Sequence, residues 1–351
     1  MMEPRELERI ALDRLPELQV ASGLFRATAR IEGVEDETEP ATALQAGIVV
    51  LLGLLRAEEA GTDQPFSTGA LRTRILGDLG NESVTPGELG LALWAESRAG
   101  GSAIGEIDGL IRRATVRGFD KVTLEQLAWL ASGLSESSVL TGDTTNSLGK
   151  EIRAEIAGRI NSSTGLAADV HGRRLGSAVP VSSQFHLLHA LCQTVRSGAE
   201  DLRDTAGKLA SSLLTLQRQD GAWPGLIDPA RASAAVIYPV LTVTQLAVAP
   251  IALRAASELG LPGNFDAAIG NGIYWTGDGN ALGRELVHVE DARIDRGILP
   301  RRQPGALGRG ISSAARRITG QAAEPDAKQL IIDPAASSED LGWVLEAWSG
   351  R

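Results

Sequence analysis

The stretch Gln217-Arg-Gln-Asp-Gly221-Ala-Trp223 decides how the chain folds. It ends a predicted helix, Ala199–Arg218, and Gly221 permits a tight turn there because glycine has no Cβ. Gln217 can satisfy backbone groups that a helix end leaves without partners. Trp223 can then pack the turn against a neighbouring element. The stretch therefore predicts helices joined by tight turns, with a structural role for Trp223 ahead of any ligand contact.

The rest of the chain follows the same plan of helices separated by short Gly-, Pro- and Asp-rich turns. Thr85-Pro86-Gly87-Glu88 and Thr123-Leu124-Glu125-Gln126 have the form of capping boxes, which start helices. Apolar residues at helical spacing then continue each segment. The predicted helices are Arg5–Leu15, Ala41–Ala60, Thr68–Leu79, Pro86–Ala99, Ala103–Arg117, Leu124–Gly133, Ser147–Asn161, Ser182–Ser197, Ala199–Arg218, Leu241–Leu259, Phe265–Trp275 and Ser338–Trp348.

About twelve helices of this length suit six helical hairpins. A closed ring of hairpins (an α/α toroid) and an open α-solenoid both fit that number. The sequence has no strict short repeat, which favours the toroid. We therefore expect an all-α fold in one domain over residues 1–351, with a long irregular loop at about 277–310.

Composition excludes several classes of function. The 351 residues carry a net charge of −10, so a general nucleic-acid binder is not expected, because phosphate neutralisation needs clustered Lys and Arg. The most apolar stretch, Ala46–Leu55, is about half the ~20 residues that cross a bilayer. The charged N-terminus lacks the apolar core of a signal peptide, which favours a cytoplasmic location. Cys192 is the single cysteine and lies in an apolar helix, where a buried, inert thiol is expected.

Three segments interrupt the helical pattern, at 30–40, 165–180 and 277–310, and the last two are the candidate positions for a site. Long loops in a compact domain are usually functional or disordered. Seven arginines lie between Arg293 and Arg317, and arginine binds phosphate and carboxylate through two parallel hydrogen bonds. This basic segment could hold an anionic ligand, bind a protein partner, or be a solvated loop.

The 217–223 stretch matches Gln-x-x-x-Gly-x-Trp, and so resembles the repeat of terpene cyclases and related toroid proteins. A wider set of stretches resembles a poorly characterised bacterial family of helical-toroid proteins. These stretches are residues 50–56, 89–94, 238–253, 273–283 and 340–348. The family pattern carries His-Gln-Asp where this chain has Thr244-Gln245-Leu246, and Asn-Glu-Leu-Gly where it has Asn280-Ala281-Leu282-Gly283. The resemblance implies a toroid with an altered or lost site, in an envelope-glycan context.

Candidate site residues follow from the chemistry that each reaction needs. Cyclisation of terpenes needs Asp-x-Asp-Asp or Asp-Asp-x-x-Asp, and the sequence has neither. Glycan cleavage usually needs two carboxylates, and Asp228 follows the Gly221 turn directly. Asp228 is therefore the candidate catalytic residue. The candidate ligand-binding residues are Trp223, Tyr238, Gln245, Asn280, Gln184, His186, Arg301 and Arg302. Neither a metal nor a cofactor is predicted.

Three functions remain open from sequence. The first is a carbohydrate-active or exopolysaccharide-related protein with a site in the toroid mouth. The second is a cyclase-like protein that binds an isoprenoid diphosphate, and the third is a non-catalytic scaffold. A wet cleft with paired acids would favour the carbohydrate-active protein, and an apolar tunnel would favour the isoprenoid-binding protein. A filled centre would favour the scaffold.

Overall fold

A computed structural model describes residues 3–26, 40–81, 83–141, 147–170, 178–301, 324–335 and 337–351. This part of the chain forms twelve α-helices, each within a predicted segment or overlapping one. They are α1 (Pro4–Leu18), α2 (Pro40–Glu59), α3 (Thr68–Asp78), α4 (Pro86–Arg98), α5 (Ile104–Thr115), α6 (Leu124–Thr141), α7 (Ser147–Arg159), α8 (Val181–Arg196), α9 (Arg203–Leu216), α10 (Ala249–Glu258), α11 (Phe265–Tyr274) and α12 (Ser338–Trp348). A π-helical turn, Thr244–Val248, leads directly into α10. None of the described helices is long and apolar enough to span a membrane.

The helices form a closed double ring. Helices α2, α4, α6, α8, α10 and α12 pack against one another in that order to form the inner ring, and α12 packs against α2 to close it. Helices α3, α5, α7, α9 and α11 each cover the inner helix before them. The sixth hairpin joins the two ends of the chain, because α1 packs against α12. The predicted ring of six hairpins is confirmed.

The inner helices run parallel to one another. Along α6 and α8, Ser132 lies 3.4 Å from His189, and one turn later the Gln193 amide donates to Glu136 at 2.8 Å. Along α4 and α6, a Cβ built on Gly90 would lie 2.6 Å from the backbone of Leu130. All inner helices therefore begin at one end of the ring, which we call the mouth, and finish at the other, which we call the base.

Glycines let the inner helices approach closely where the ring closes. A Cβ on Gly342 of α12 would lie 2.7 Å from the Val49 backbone of α2. A Cβ on Gly53 of α2 would lie 2.4 Å from the carbonyl oxygen of Gly342. Any larger residue would push these two helices apart. Ring closure therefore depends on glycine at both positions.

Short strands lie in the connections at the mouth. They are β1 (Val179–Pro180), β2 (Leu226–Asp228), β3 (Ser233–Val236), β4 (Val240–Leu241), β5 (Val287–His288), β6 (Arg293–Ile294), β7 (Gly297–Pro300) and β8 (Leu330–Asp333). They pair antiparallel as β1-β2-β3, β4-β7-β8 and β5-β6. The loop predicted to be irregular at 277–310 therefore contains three strands, because β5 and β6 pair across a turn and β7 pairs with the distant strands β4 and β8. Its residues 302–310 lie outside the described part of the chain.

The 217–223 stretch makes the contacts that its residues predict. The Gln217 side-chain amide donates to the carbonyls of Gly221 and Ala268, both at 2.8 Å. Gly221 has a φ of +94°, which favours glycine. The Trp223 indole donates to the Leu213 carbonyl at 2.8 Å, and its buried ring meets Phe185 edge-on. The stretch thus ties α9 to α11 and α8.

Candidate active site at the mouth

The mouth is the end of the ring with the longer connections. All the strands of the described residues lie there, in the segments that lead from an outer helix to the next inner one. At the base, the described turns from inner to outer helix are short, such as the five residues between α4 and α5. A ligand site is therefore expected at the mouth, where loops of variable shape sit on a rigid ring.

Asp228 lies in the loops of the mouth and is completely buried. One carboxylate oxygen accepts the Ala230 N–H at 3.0 Å, and the other pairs with Arg231 at 3.0 Å. Both oxygens thus hold the turn between β2 and β3. A catalytic role for Asp228 remains a prediction, and its surroundings give it no support.

Three predicted amide residues also hold backbone. Gln184 exchanges two hydrogen bonds of 2.9 Å with the backbone of Ala167. The Asn280 amide nitrogen donates to three carbonyls of residues 275–284. Gln245 accepts the Trp223 N–H at 3.1 Å, while its own buried amide nitrogen has no partner among the described residues. Of the three, Gln245 is the one whose amide nitrogen makes no hydrogen bond to this part of the chain.

The remaining predicted residues are spread over the same end. Tyr238 is buried under the Arg218 guanidinium, 6.0 Å from the centre of its ring. Arg301 is exposed just beyond β7. Arg302, and with it most of the basic segment 293–317, lies outside the described residues. Only His186 stands in the centre of the ring, on α8.

His186 leads to a group of acids that sequence reasoning missed. Its Nε2 lies 3.5 Å from the Glu125 carboxylate on α6. Glu125 keeps 35% of its side chain exposed, although its carboxyl is surrounded by protein. This burial and the nearby carboxylates of Glu339 and Asp169 raise the pKa of Glu125 to about 8. Glu125 is therefore mostly protonated at neutral pH.

Glu339 lies on α12, which stands opposite α6 in the ring. The Gln45 amide of α2 donates to both its carboxylate oxygens, at 3.0 and 3.1 Å, and the Trp343 side chain forms a further hydrogen bond. Burial raises the pKa of Glu339, and these donors oppose the rise. Its neighbour Asp340 has no such side-chain donors among the described residues, and burial together with Glu339 raises its pKa to about 7. The mouth thus contains carboxyl groups in different environments.

An aromatic layer forms the floor beneath these acids. His186 lies 5.0 Å from the Trp343 ring and 5.5 Å from the Trp129 ring. Trp94 stacks on His189 at 5.0 Å and meets Trp343 at 6.3 Å. Burial lowers the pKa of both histidines to about 3, so both are neutral at pH 7. The middle of the ring is therefore filled.

The acids were missed because they stand beside capping residues. In Thr123-Leu-Glu-Gln126 the capping box is closed by Gln126, whose N–H donates to Thr123 at 3.3 Å. The Glu125 side chain therefore takes no part in the cap. In the same way the Ser337 side chain accepts the Asp340 N–H, and the Glu339 side chain takes no part in that cap. Both glutamates occupy the second position of an inner helix. Alignment of the inner helices by their caps would have revealed this shared register.

Comparisons with known proteins bear on the fold. No family model matches the sequence, and no curated protein does. Solved structures match over almost the whole chain. A sugar epimerase from a ruminal bacterium matches with a TM-score of 0.64 and 10% identity, covering 99% of this chain and 98% of its own. An inactive variant of the α-1,6-mannanase GH76A of Salegentibacter sp. HEL1_6, in complex with α-1,6-mannotetrose, matches with a TM-score of 0.60 and 13% identity, covering 99% of each chain.

A possible member of the GH105 family from Klebsiella pneumoniae matches with a TM-score of 0.62 and 11% identity, covering 99% of this chain and 92% of its own. The fold is an α/α toroid. Matches at such low sequence identity show a shared fold and do not show a shared reaction. The resemblance to terpene cyclases finds no support in these structures.

Proposed function

We propose that this toroid protein binds a carbohydrate in the mouth and acts on it by proton transfer, with Glu125 as the proton donor. The observation that carries the proposal is the carboxyl of Glu125, which lies at the start of α6 beside His186 and whose pKa is raised to about 8. A carboxylic acid that stays protonated at neutral pH is what general-acid catalysis needs. The likeness to a sugar epimerase and a mannanase supports the choice of substrate class.

Glu339 is the second carboxyl of the proposed reaction. The two donors of Gln45 and the Trp343 side chain favour the charged form of Glu339, whereas Glu125 has a neutral histidine beside it. Two carboxyl groups with different environments take different roles, one as acid and one as base or nucleophile. Because Gln45 fixes Glu339 from α2, three inner helices share the reacting centre.

The proposal is tested by turnover of defined oligosaccharides by the full chain. The panel contains α-1,6-mannotetrose, a disaccharide with an unsaturated uronic acid, and a free reducing disaccharide, and mass spectrometry and chromatography detect cleavage and epimerisation. We expect turnover of at least one member, and a loss of ~10²–10⁴-fold in kcat on Glu125→Gln. Glu200→Gln, which changes an exposed glutamate at the base paired with Arg203, is the matched control and leaves kcat unchanged.

A non-catalytic scaffold is the second candidate, because the centre of the ring is filled. Trp94, Trp129 and Trp343 are each less than 5% exposed, so the layer offers little open aromatic surface to a sugar. Absence of both turnover and binding across the panel would favour the scaffold. Full activity of Glu125→Gln on a turned-over substrate would remove Glu125 as the donor.

A further inference from the structure

The base of the toroid contains a polar cavity. Its volume is about 190 Å³, and five of the six inner helices or their ends contribute to it. Its cationic lining residues are Arg56 of α2, Arg98 of α4, Arg196 of α8, Arg254 of α10 and Arg351 of the C-terminus. We call it the arginine pocket. It lies below the aromatic floor, since His189 of that layer also lines it.

Most of these arginines have carboxylate partners. Arg98 pairs with Glu346 and lies 3.7 Å from Glu59. Arg196 pairs with Glu258, and Arg351 approaches the same glutamate only to 3.9 Å. Arg56 lies 3.3 Å from Glu59. Two glutamates are thus each shared between two arginines, and Glu136 also acts on Arg98 and Arg196, so these four arginines all have carboxylates around them.

Arg254 has no carboxylate within 4 Å in the described part of the chain. Its guanidinium donates to the Ala347 carbonyl and lies 4.1 Å from the centre of the Trp348 ring. Burial, with the repulsion of Arg351 and Arg56, lowers its pKa to about 10. A guanidinium has five N–H donors in a fixed fork, and a carbonyl and a ring use few of them. The remaining donors are available to an acceptor in the cavity.

Helix dipoles act against anions at this end. The C-termini of inner helices carry partial negative charge, which arginine side chains neutralise. That neutralisation accounts for the hydrogen bond from Arg254 to the Ala347 carbonyl, which lies in the last turn of α12. It does not account for the other donors of Arg254, which lines the cavity beside two other cations and has no ion-pair partner in the described part of the chain.

We propose that the arginine pocket binds a small oxyanion, a phosphate group either free or esterified to a sugar, with Arg254 and Arg351 as its main ligands. The proposal is independent of the reaction proposed for the mouth. Arginine matches the geometry of phosphate through paired N–H donors, and charge-assisted bonds of this kind are the stronger hydrogen bonds. The phosphate would supply the carboxylate-like partner that Arg254 lacks.

The test is isothermal titration calorimetry of the full chain with inorganic phosphate and, separately, with glucose 1-phosphate, at low salt. We expect saturable binding of at least one, weakened at least about tenfold by Arg254→Gln and by Arg351→Gln. Arg351 has a 41% exposed side chain at the chain end, so its variant is expected to fold even if Arg254→Gln does not. Arg74→Gln, an exposed arginine of α3 paired with Asp78, is the control and leaves binding unchanged.

The two ligands separate the sources of the phosphate. Tighter binding of the sugar phosphate points to an esterified ligand, and equal binding points to the free ion. No saturable heat with either ligand would overturn the proposal. Binding that neither Arg254→Gln nor Arg351→Gln weakens would also overturn it, and the arginines would then serve only to neutralise the helix ends.

Discussion

The mouth and the base of the ring are formed by opposite ends of the same six inner helices, and their charged side chains are in different surroundings. At the mouth, Glu125 and Glu339 stand at helix N-termini, where the dipole favours an ionised carboxylate, yet the pKa of each is raised. At the base, glutamates such as Glu346 meet arginines. Burial and mutual repulsion therefore outweigh the dipole at the mouth, and ion pairing controls the base. Side chains, more than backbone, decide what each end can do.

The largest effect is expected from breaking the layer that separates the two ends. Trp343 is 3% exposed and contacts both His186 and Trp94. We expect Trp343→Ala to lower the free energy of unfolding by ~3–5 kcal/mol, because it removes a large buried ring and leaves a cavity. Urea unfolding followed by circular dichroism measures the change.

Tyr274→Ala is the matched control for that variant, since Tyr274 is an aromatic residue with 61% of its surface exposed. We expect the control to change the free energy of unfolding by less than about 0.5 kcal/mol. Equal effects of the two substitutions would show that the ring centre is not a packed layer.

A smaller effect is expected in the pH dependence of stability. Because the pKa values of Glu125 and Asp340 are raised to about 8 and about 7, the folded state holds their protons more tightly than the unfolded state. Their contribution to stability is complete at low pH and is lost as pH rises through these values. The buried histidines have the opposite effect on stability, but only below about pH 6.5. The effect of the two carboxyl groups on stability is therefore measured between about pH 6.5 and 9.

Over this range Glu125→Gln is expected to gain stability relative to the unmodified protein as pH rises. The gain should be smaller than the loss in Trp343→Ala, because Glu125 is partly exposed and solvent screens its charge. Urea unfolding of both proteins at pH 6.5, 7.5 and 9 measures it. A difference in stability that does not vary with pH would mean that Glu125 titrates at its ordinary value.

Much of the fold was predictable because it depends on local sequence. Caps such as Thr85 with Glu88, and the Gln217–Trp223 turn, act over a few residues and fix where helices begin and end. The short strands were harder, because pairs such as β4 with β7 join residues more than fifty positions apart. The ring closure by α1 and α12 needs the two ends of the chain, which no local pattern connects.

The candidate site was less predictable than the fold. Asp228 follows a recognisable turn, and for that reason its carboxylate is engaged in the turn itself. Glu125 and Glu339 are 214 positions apart in the sequence, and only the ring brings them close enough for Glu339 to raise the pKa of Glu125. His186 was found because an ionisable residue in an apolar helix is visible in sequence. Its partners were hidden beside capping residues.

The central claim is that the mouth raises the pKa of Glu125 to about 8, whereas pairing with Arg203 lowers the pKa of Glu200 at the base. Carbon NMR of protein labelled at the glutamate carboxyl carbons, with Glu125→Gln and Glu200→Gln to assign the two signals, measures both titrations in one sample. We predict that Glu125 titrates near pH 8, and that Glu200 titrates below the usual glutamate range because Arg203 binds it. Titration of Glu125 at or below pH 5 would contradict the account.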